Sequence, residues 1–281
     1  MIDAMLDRPT LLQKMIYYAL LVLLALMILF PLYFMITVSL KTPRDIYRTP
    51  SLLPVNLTLD NYIELFTERN FLRAIANSVL VAGLSTVVSV IFASMAAYSL
   101  VRLKYLYRNW IGRFILFAYL TPSALLFIPL SVIIARLELG NTLHGLVFVY
   151  LTFAAPLSTW LLMGYFRGIP IDLEEQALVD GATRMQAFTR ILLPLAGPGL
   201  VACAVFTFTA AWNELLFGLI FITSPNLQTV PVALSYLITG DVFRWGLIMA
   251  GAVSAALPVM ILYFLAQRFV VQGMASGAVK G

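Results

Sequence analysis

Few residues in this 281-residue chain are able to do chemistry. It has one histidine, His144, and one cysteine, Cys203. A zinc site of the H-E-x-x-H kind needs two histidines on one helix face, and a cysteine metal site or an intramolecular disulfide needs a second thiol; all three are excluded. Neither G-x-S-x-G nor G-x-x-x-x-G-K-[ST] occurs, so the chain has no nucleophile elbow and no phosphate-cradling loop to hold ATP. His144 reads as a solvated or interfacial residue at a loop-to-span junction and Cys203 as a packing residue in an apolar run. The clear carboxylate within an apolar stretch is Glu214, in "AAWNELLFG". Ionisable groups are expensive in a membrane, so Asn213 and Glu214 read either as lining a substrate pathway or as hydrated or paired near the outer end of a span.

A charged segment stands out between apolar stretches, "IDLEEQALVDGATRMQAFTRILLP", Ile171 to Pro194, which holds Asp172, Glu174, Glu175, Asp180, Arg184 and Arg190. Asp172 followed by Glu175, and Thr183 followed by Gln186, are two capping-box spacings. Gly181 between them supplies a helix stop, because it adopts positive φ without steric penalty. Pro170 precedes the first helix and Pro194 is expected to end the second, giving helix, turn, helix. Leu173, Ala177 and Leu178 fall near one face of the first helix, and Phe188, Ile191 and Leu192 on the second. A short amphipathic helix outside the bilayer lies on lipid or docks into a protein groove. From Asp172 to Asp180 there are four acids and no base. Anionic lipid disfavours that face, and a positively charged protein groove suits it.

The elements that position these residues follow from composition. The chain is 62% hydrophobic and 11% charged, with mean hydropathy +0.95, far from a soluble domain. It reads as an all-α integral membrane protein, since a spanning backbone must satisfy its own hydrogen bonds and barrel alternation is missing. Apolar windows predict six transmembrane helices, near 15–38, 72–100, 112–135, 144–166, 198–222 and 245–268. A cytoplasmic helix-turn-helix loop, 167–197, separates spans four and five, and a cytoplasmic tail occupies 269–281. The first run, Ile16 to Ile36, is too long for a signal-peptide core and should remain as an anchor. Small residues of the second span, Ala76, Ser78, Ala82, Gly83, Ser85, Ala93, Ser94, Ala96 and Ala97, permit close helix packing.

The formal charge of +5 resides in loops and sets topology, so it does not indicate nucleic acid. With the N-terminus inside, eleven of the eighteen basic residues are cytoplasmic, four of them in the acid-free loop Arg102 to Arg113. Both termini are therefore placed in the cytoplasm. Segments Ser39 to Phe71 and Thr223 to Arg244 then face outward.

"EEQALVDGATRMQAFTRILLPL" resembles the E-A-A-x-x-x-G…I-x-L-P signature of binding-protein-dependent ABC importer permeases. Glu175, Ala177, Asp180, Gly181, Ala182, Phe188, Ile191, Leu193 and Pro194 fall on the pattern, while Gln176 stands where the first alanine usually does. The resemblance runs along essentially the whole chain and is closest to the shorter permease subunit of maltose-type sugar importers. Supporting pieces are "SLK" (Ser39 to Lys41), "TLDNY" (Thr58 to Tyr62), Asn77–Ser78, "WNE" (Trp212 to Glu214) and the terminal "ASGAVKG".

The resemblance implies a permease that imports a sugar across a bacterial or archaeal cytoplasmic membrane by alternating access and catalyses no bond change. It implies a second permease as heterodimeric partner, two ATPase subunits that carry ATP and Mg, and an extracytoplasmic sugar-binding protein. No cofactor is expected on this chain. Glu174, Glu175, Gln176, Ala177, Asp180, Gly181, Ala182, Phe188 and Pro194 are the implied ATPase-coupling residues, with Glu175 facing a basic group in the ATPase cleft. The tail Gly277, Ala278, Val279, Lys280 and Gly281 would reach the ATPase interface, and the outer loop Ser235 to Trp245 would enter the opened binding protein. The residues alone leave one alternative open, an ion-coupled secondary transporter of a small polar solute.

Overall fold

The computed structural model describes residues 11–48, 51–53, 56–239 and 242–278. They form fourteen α-helices and one hairpin of two-residue strands, which divide into two compact units.

The first unit comprises residues 1–69 and 237–254. It contains α1 (Leu11–Ser39), α2 (Pro43–Arg48), α3 (Asp60–Thr67), the antiparallel pair β1 (Ile238–Thr239) and β2 (Val242–Phe243), and the start of α14 (Trp245–Ala278). The motif fragments read separately in the sequence meet here. Asn61 Nδ2 donates to the carbonyls of Ser39 (2.9 Å) and Lys41 (3.0 Å), the Ser39 and Tyr62 hydroxyls lie 2.7 Å apart, and the Thr58 N–H reaches the Leu40 carbonyl at 3.0 Å. Gly246 sits against Asn61, where a Cβ would approach its Nδ2 to 2.7 Å. Glu64 pairs with Arg244 and, at 3.3 Å, with Arg69, and the Tyr47 hydroxyl donates to the Phe243 carbonyl. The most apolar stretch of α1 has no buried residue; such a surface requires lipid or another chain to cover it.

The second unit, residues 70–236 and 255–281, holds most of the helices: α4 (Phe71–Arg102), α5 (Arg108–Leu120), α6 (Ser123–Arg136), α7 (Leu143–Gly168), α8 (Asp172–Val179), α9 (Arg184–Ala187), α10 (Leu193–Leu195), α11 (Gly197–Trp212), α12 (Leu216–Phe221) and α13 (Val230–Ser235). Its centre is α4 against α7 and α11. Ser78, Ala82, Ser85, Ala93, Ser94 and Ala97 of α4 are buried, as a close-packed span requires. Ser158 of α7 and Thr207 of α11 share a hydrogen bond of 2.8 Å between spans. At the start of α4, Asn77 donates to the Asn226 and Gln228 carbonyls, and Ser78 accepts the Val230 N–H at 2.7 Å, which fixes the loop before α13.

Among the described residues four helices are long and apolar enough to cross a membrane, α1, α4, α7 and α14, or up to six if each bent helix pair counts as one span. The window 112–135 is not one helix. It breaks at Thr121–Pro122, and α5 and α6 meet at 97°. Pro122 donates no N–H and drives Thr121 out of the helical region, to φ −68° and ψ 126°. The window 198–222 is likewise interrupted at Asn213–Leu215, between α11 and α12. Pro194 does not end its helix. A π turn, Phe188–Leu192, widens the coil, with the Leu193 N–H on the Phe188 carbonyl, so a residue lacking an N–H is accommodated. The bend, 75°, comes at Ala196 instead. At the other end of the chain α14 runs as continuous helix through Gly277 and Ala278, where a tail had been expected to begin at 269. Val279, Lys280 and Gly281 lie outside the described residues.

Candidate functional site

The charged segment folds as two short helices at one end of the α4–α7–α11 bundle. Pro170 starts the chain into α8, whose first turn carries Asp172, Glu174 and Glu175 against the unpaired N–H groups of the helix start. The expected capping box of Asp172 and Glu175 is absent. Ile171 is already in helical conformation, its carbonyl accepts the N–H groups of Glu174 (2.9 Å) and Glu175 (3.1 Å), and Asp172 lies inside the helix. The far end is a Schellman closure: the Ala182 N–H donates to Ala177 O at 2.9 Å and the Gly181 N–H to Leu178 O at 3.2 Å. Gly181 has φ +88°, the conformation for which glycine was expected. The second capping box is present, with Thr183 Oγ1 accepting from Gln186 N–H at 3.3 Å and Gln186 Oε1 accepting from Thr183 N–H at 2.8 Å.

The coupling residues expected from the sequence separate onto two sides. Glu175, Gln176 and Asp180 are exposed, and with Asp172 and Val179 they surround a shallow concavity. Val179 is 87% exposed. Gln176 thus replaces the usual alanine on the open face, where its length meets no intramolecular obstacle. Glu174, Ala177 and Phe188 turn inward. Glu174 is 4% exposed and its Oε1 accepts from Arg102 Nε at 2.6 Å; the same guanidinium donates from Nη2 to the Ile169 carbonyl at 2.7 Å. One arginine at the end of α4 thereby clamps both the start of α8 and the chain leading into it. Phe188 joins Ala187 and Leu192 in the interior; Phe188 and Leu192 pack with Ala93 and Ala97 of α4, Leu162 and Phe166 of α7, and Cys203 of α11. The Tyr98 ring lies 4.7 Å from that of Phe188, and its hydroxyl reaches the Arg184 carbonyl at 3.4 Å. Ala182 is half-buried and Pro194 exposed.

Arg102 and Tyr98 were missed as members of this site. Arg102 had been counted only toward topology, and no local spacing connects it with Glu174, 72 residues away.

Asn213 and Glu214 occupy the break between α11 and α12, remote in sequence from α8. The Asn213 side chain is exposed and donates back to the Thr209 carbonyl at 2.9 Å. The Glu214 carboxylate accepts the N–H groups of Phe217 (3.1 Å) and Gly218 (3.3 Å), capping α12, while Tyr150 donates to its backbone carbonyl at 3.3 Å. Backbone N–H groups thus engage the Glu214 carboxylate at the break between α11 and α12.

Residues 72–276 match the family described as "Binding-protein-dependent transport system inner membrane component". The chain is 36% identical over 264 residues to the trehalose/maltose transport system permease protein MalG of Thermococcus litoralis, covering 92% of this chain and 94% of that protein. It is 37% identical over 255 residues to the trehalose transport system permease protein SugB of Mycobacterium tuberculosis, covering 90% and 93%. In fold it is similar to a chain of a bacterial ABC transporter involved in the import of the acidic polysaccharide alginate, with TM-score 0.76, 22% identity, and 91% and 95% of the two chains covered.

Proposed function

The chain belongs to the family of binding-protein-dependent transport system inner membrane components, and from that premise we propose that it imports a sugar as one permease subunit of an ATP-driven complex. Relatives named for trehalose and maltose transport support a carbohydrate as solute. ATP and Mg belong to two partner ATPase subunits, a second permease completes the pathway, and an extracytoplasmic binding protein delivers the sugar. The chain works by alternating access, with α8 and both termini on the cytoplasmic side. The substrate passes the break at Asn213, and the end of α14 approaches the ATPases.

The observation that carries the reading is the two-sided build of the α8–α9 segment. Its outer side presents Asp172, Glu175, Gln176, Val179 and Asp180 to a partner. Its inner side is fixed to the spans by the Glu174–Arg102 pair and by Phe188 and Leu192. A push on α8 therefore reaches α4, α7 and α11 through buried contacts instead of being absorbed in a loose loop. Acids on the outer side suit a cleft that carries positive charge.

The test is co-purification of the ATPase with the full assembly. Glu175→Lys is expected to reduce ATPase recovery and sugar uptake together, while leaving the amount of inserted chain unchanged. Undiminished ATPase recovery would remove α8 from the docking surface.

A further inference from the structure

A crevice of about 820 Å³ opens at the same end of the bundle as α8, between α5, the last turns of α7 and the α10–α11 corner. Arg108, Arg113 and Arg167 line it, and no aspartate or glutamate does. Arg108 donates to the Leu103 carbonyl at 3.1 Å, and the Arg113 guanidinium lies 5.5 Å from the centre of the Trp110 ring. Among the described residues, none of the three pairs with a carboxylate. The rest of the wall is largely apolar and includes Leu116, Trp160, Met163 and Leu195. Trp160 precedes Arg167 by seven residues on α7, so the apolar wall extends about 10 Å along the helix from the cationic end. Glycines keep the space open: at Gly164 a Cβ would meet nothing within 4 Å, and at Gly112 only Met163, at 3.7 Å.

A sugar is poorly served by this lining, which has three guanidinium donors, no carboxylate, and only Asn109 and Tyr165 as side-chain acceptors for its many hydroxyls. A cationic mouth leading into an apolar slot between membrane helices matches an anionic amphiphile. We propose that the crevice binds one anionic phospholipid. Its phosphate rests on Arg108, Arg113 and Arg167, and an acyl chain lies along Leu116, Met163 and Trp160. Inorganic phosphate shares the headgroup chemistry but leaves the apolar wall unused.

The experiment is native mass spectrometry of the complete, delipidated importer titrated with phosphatidylglycerol, phosphatidylcholine or inorganic phosphate. The expected result is one phosphatidylglycerol retained per copy of this chain, with phosphatidylcholine and phosphate lost. Each guanidinium near an anionic headgroup is worth a factor of about five, so R113Q/R167Q should lower retention roughly 25-fold. G164F, which fills the slot without touching charge, should lower it as well. Equal retention of the two lipids would overturn the proposal, as would retention unchanged in both variants. Binding of inorganic phosphate that persists in G164F would assign the arginines to a free anion and overturn it too. Phosphatidylglycerol bound by the isolated chain but excluded from the full assembly would show that a neighbouring subunit covers the arginines, which is equally contrary to it.

Discussion

Glu174 and Glu175 are sequence neighbours with opposite surroundings, one buried and one exposed. Glu174 is held by Arg102 in the interior, with side-chain exposures of 5% and 8% for the two partners. Removing one member of such a pair leaves a buried charge uncompensated, at a cost of ~3–5 kcal/mol. Glu174→Gln is therefore expected to loosen α8, measurable as faster amide exchange from Asp172 to Val179. Replacing both partners with apolar residues should restore much of the protection. Gly181 is the second sensitive position. Its positive φ costs a β-branched residue roughly 1–3 kcal/mol, so Gly181→Val should lower sugar-stimulated ATP hydrolysis in the assembled complex; wild-type hydrolysis would refute this. At this scale, what the sequence revealed was local. Thr183 and Gln186 are three residues apart, so their mutual cap is visible in the spacing. The role of Asp172 was misjudged because the helical turn at Ile171, just after Pro170, moved the helix start one residue earlier. The Glu214 cap on Phe217 follows the same i, i+3 logic and was legible in principle.

At the scale of elements, hydropathy located the apolar stretches and left their breaks unseen. Windows averaged over a span register composition, whereas Pro122 and the Asn213–Leu215 gap act through single backbone groups. The inner side of the α8–α9 segment belongs to this scale too. Phe188→Ala should cost ~3–5 kcal/mol by opening a cavity among α4, α7 and α11. It is expected to preserve ATPase recovery while uncoupling hydrolysis from sugar uptake; loss of ATPase binding instead would place Phe188 on the docking face. In the other unit, the hairpin and α3 are tied by the Glu64–Arg244 pair. The Arg244 guanidinium holds the Glu64 carboxyl below the usual glutamate range, partly opposed by burial. A depressed folded-state value means that the pair contributes stability above the unfolded glutamate value of about 4.3 and loses it as pH falls below that point. The pair is partly exposed, so the effect is small. Amide exchange at Phe243 should rise below about pH 4 in the wild type and lose that pH dependence in Arg244→Gln.

For the whole molecule, the all-helical membrane class was readable from composition and the family from a motif resemblance, while the breaks within two of the six predicted spans and the wiring were not. The fragments Ser39–Lys41 and Thr58–Tyr62 looked like separate weak signals until Asn61 and Tyr62 were seen to hold the end of α1. Likewise Asn77–Ser78 had no visible purpose before their bonds to the loop ahead of α13. Contacts across tens of residues leave no periodic trace in a single chain. The central claim is that the outer side of α8 seats on the ATPase. It is tested most directly by disulfide trapping in the complete complex, using Val179→Cys in a Cys203→Ala background and cysteines along the ATPase cleft. The account predicts a chain-to-ATPase cross-link from position 179 and none from the buried control Ala187→Cys. A stable complex that gives no cross-link from position 179 with any cleft cysteine would contradict it.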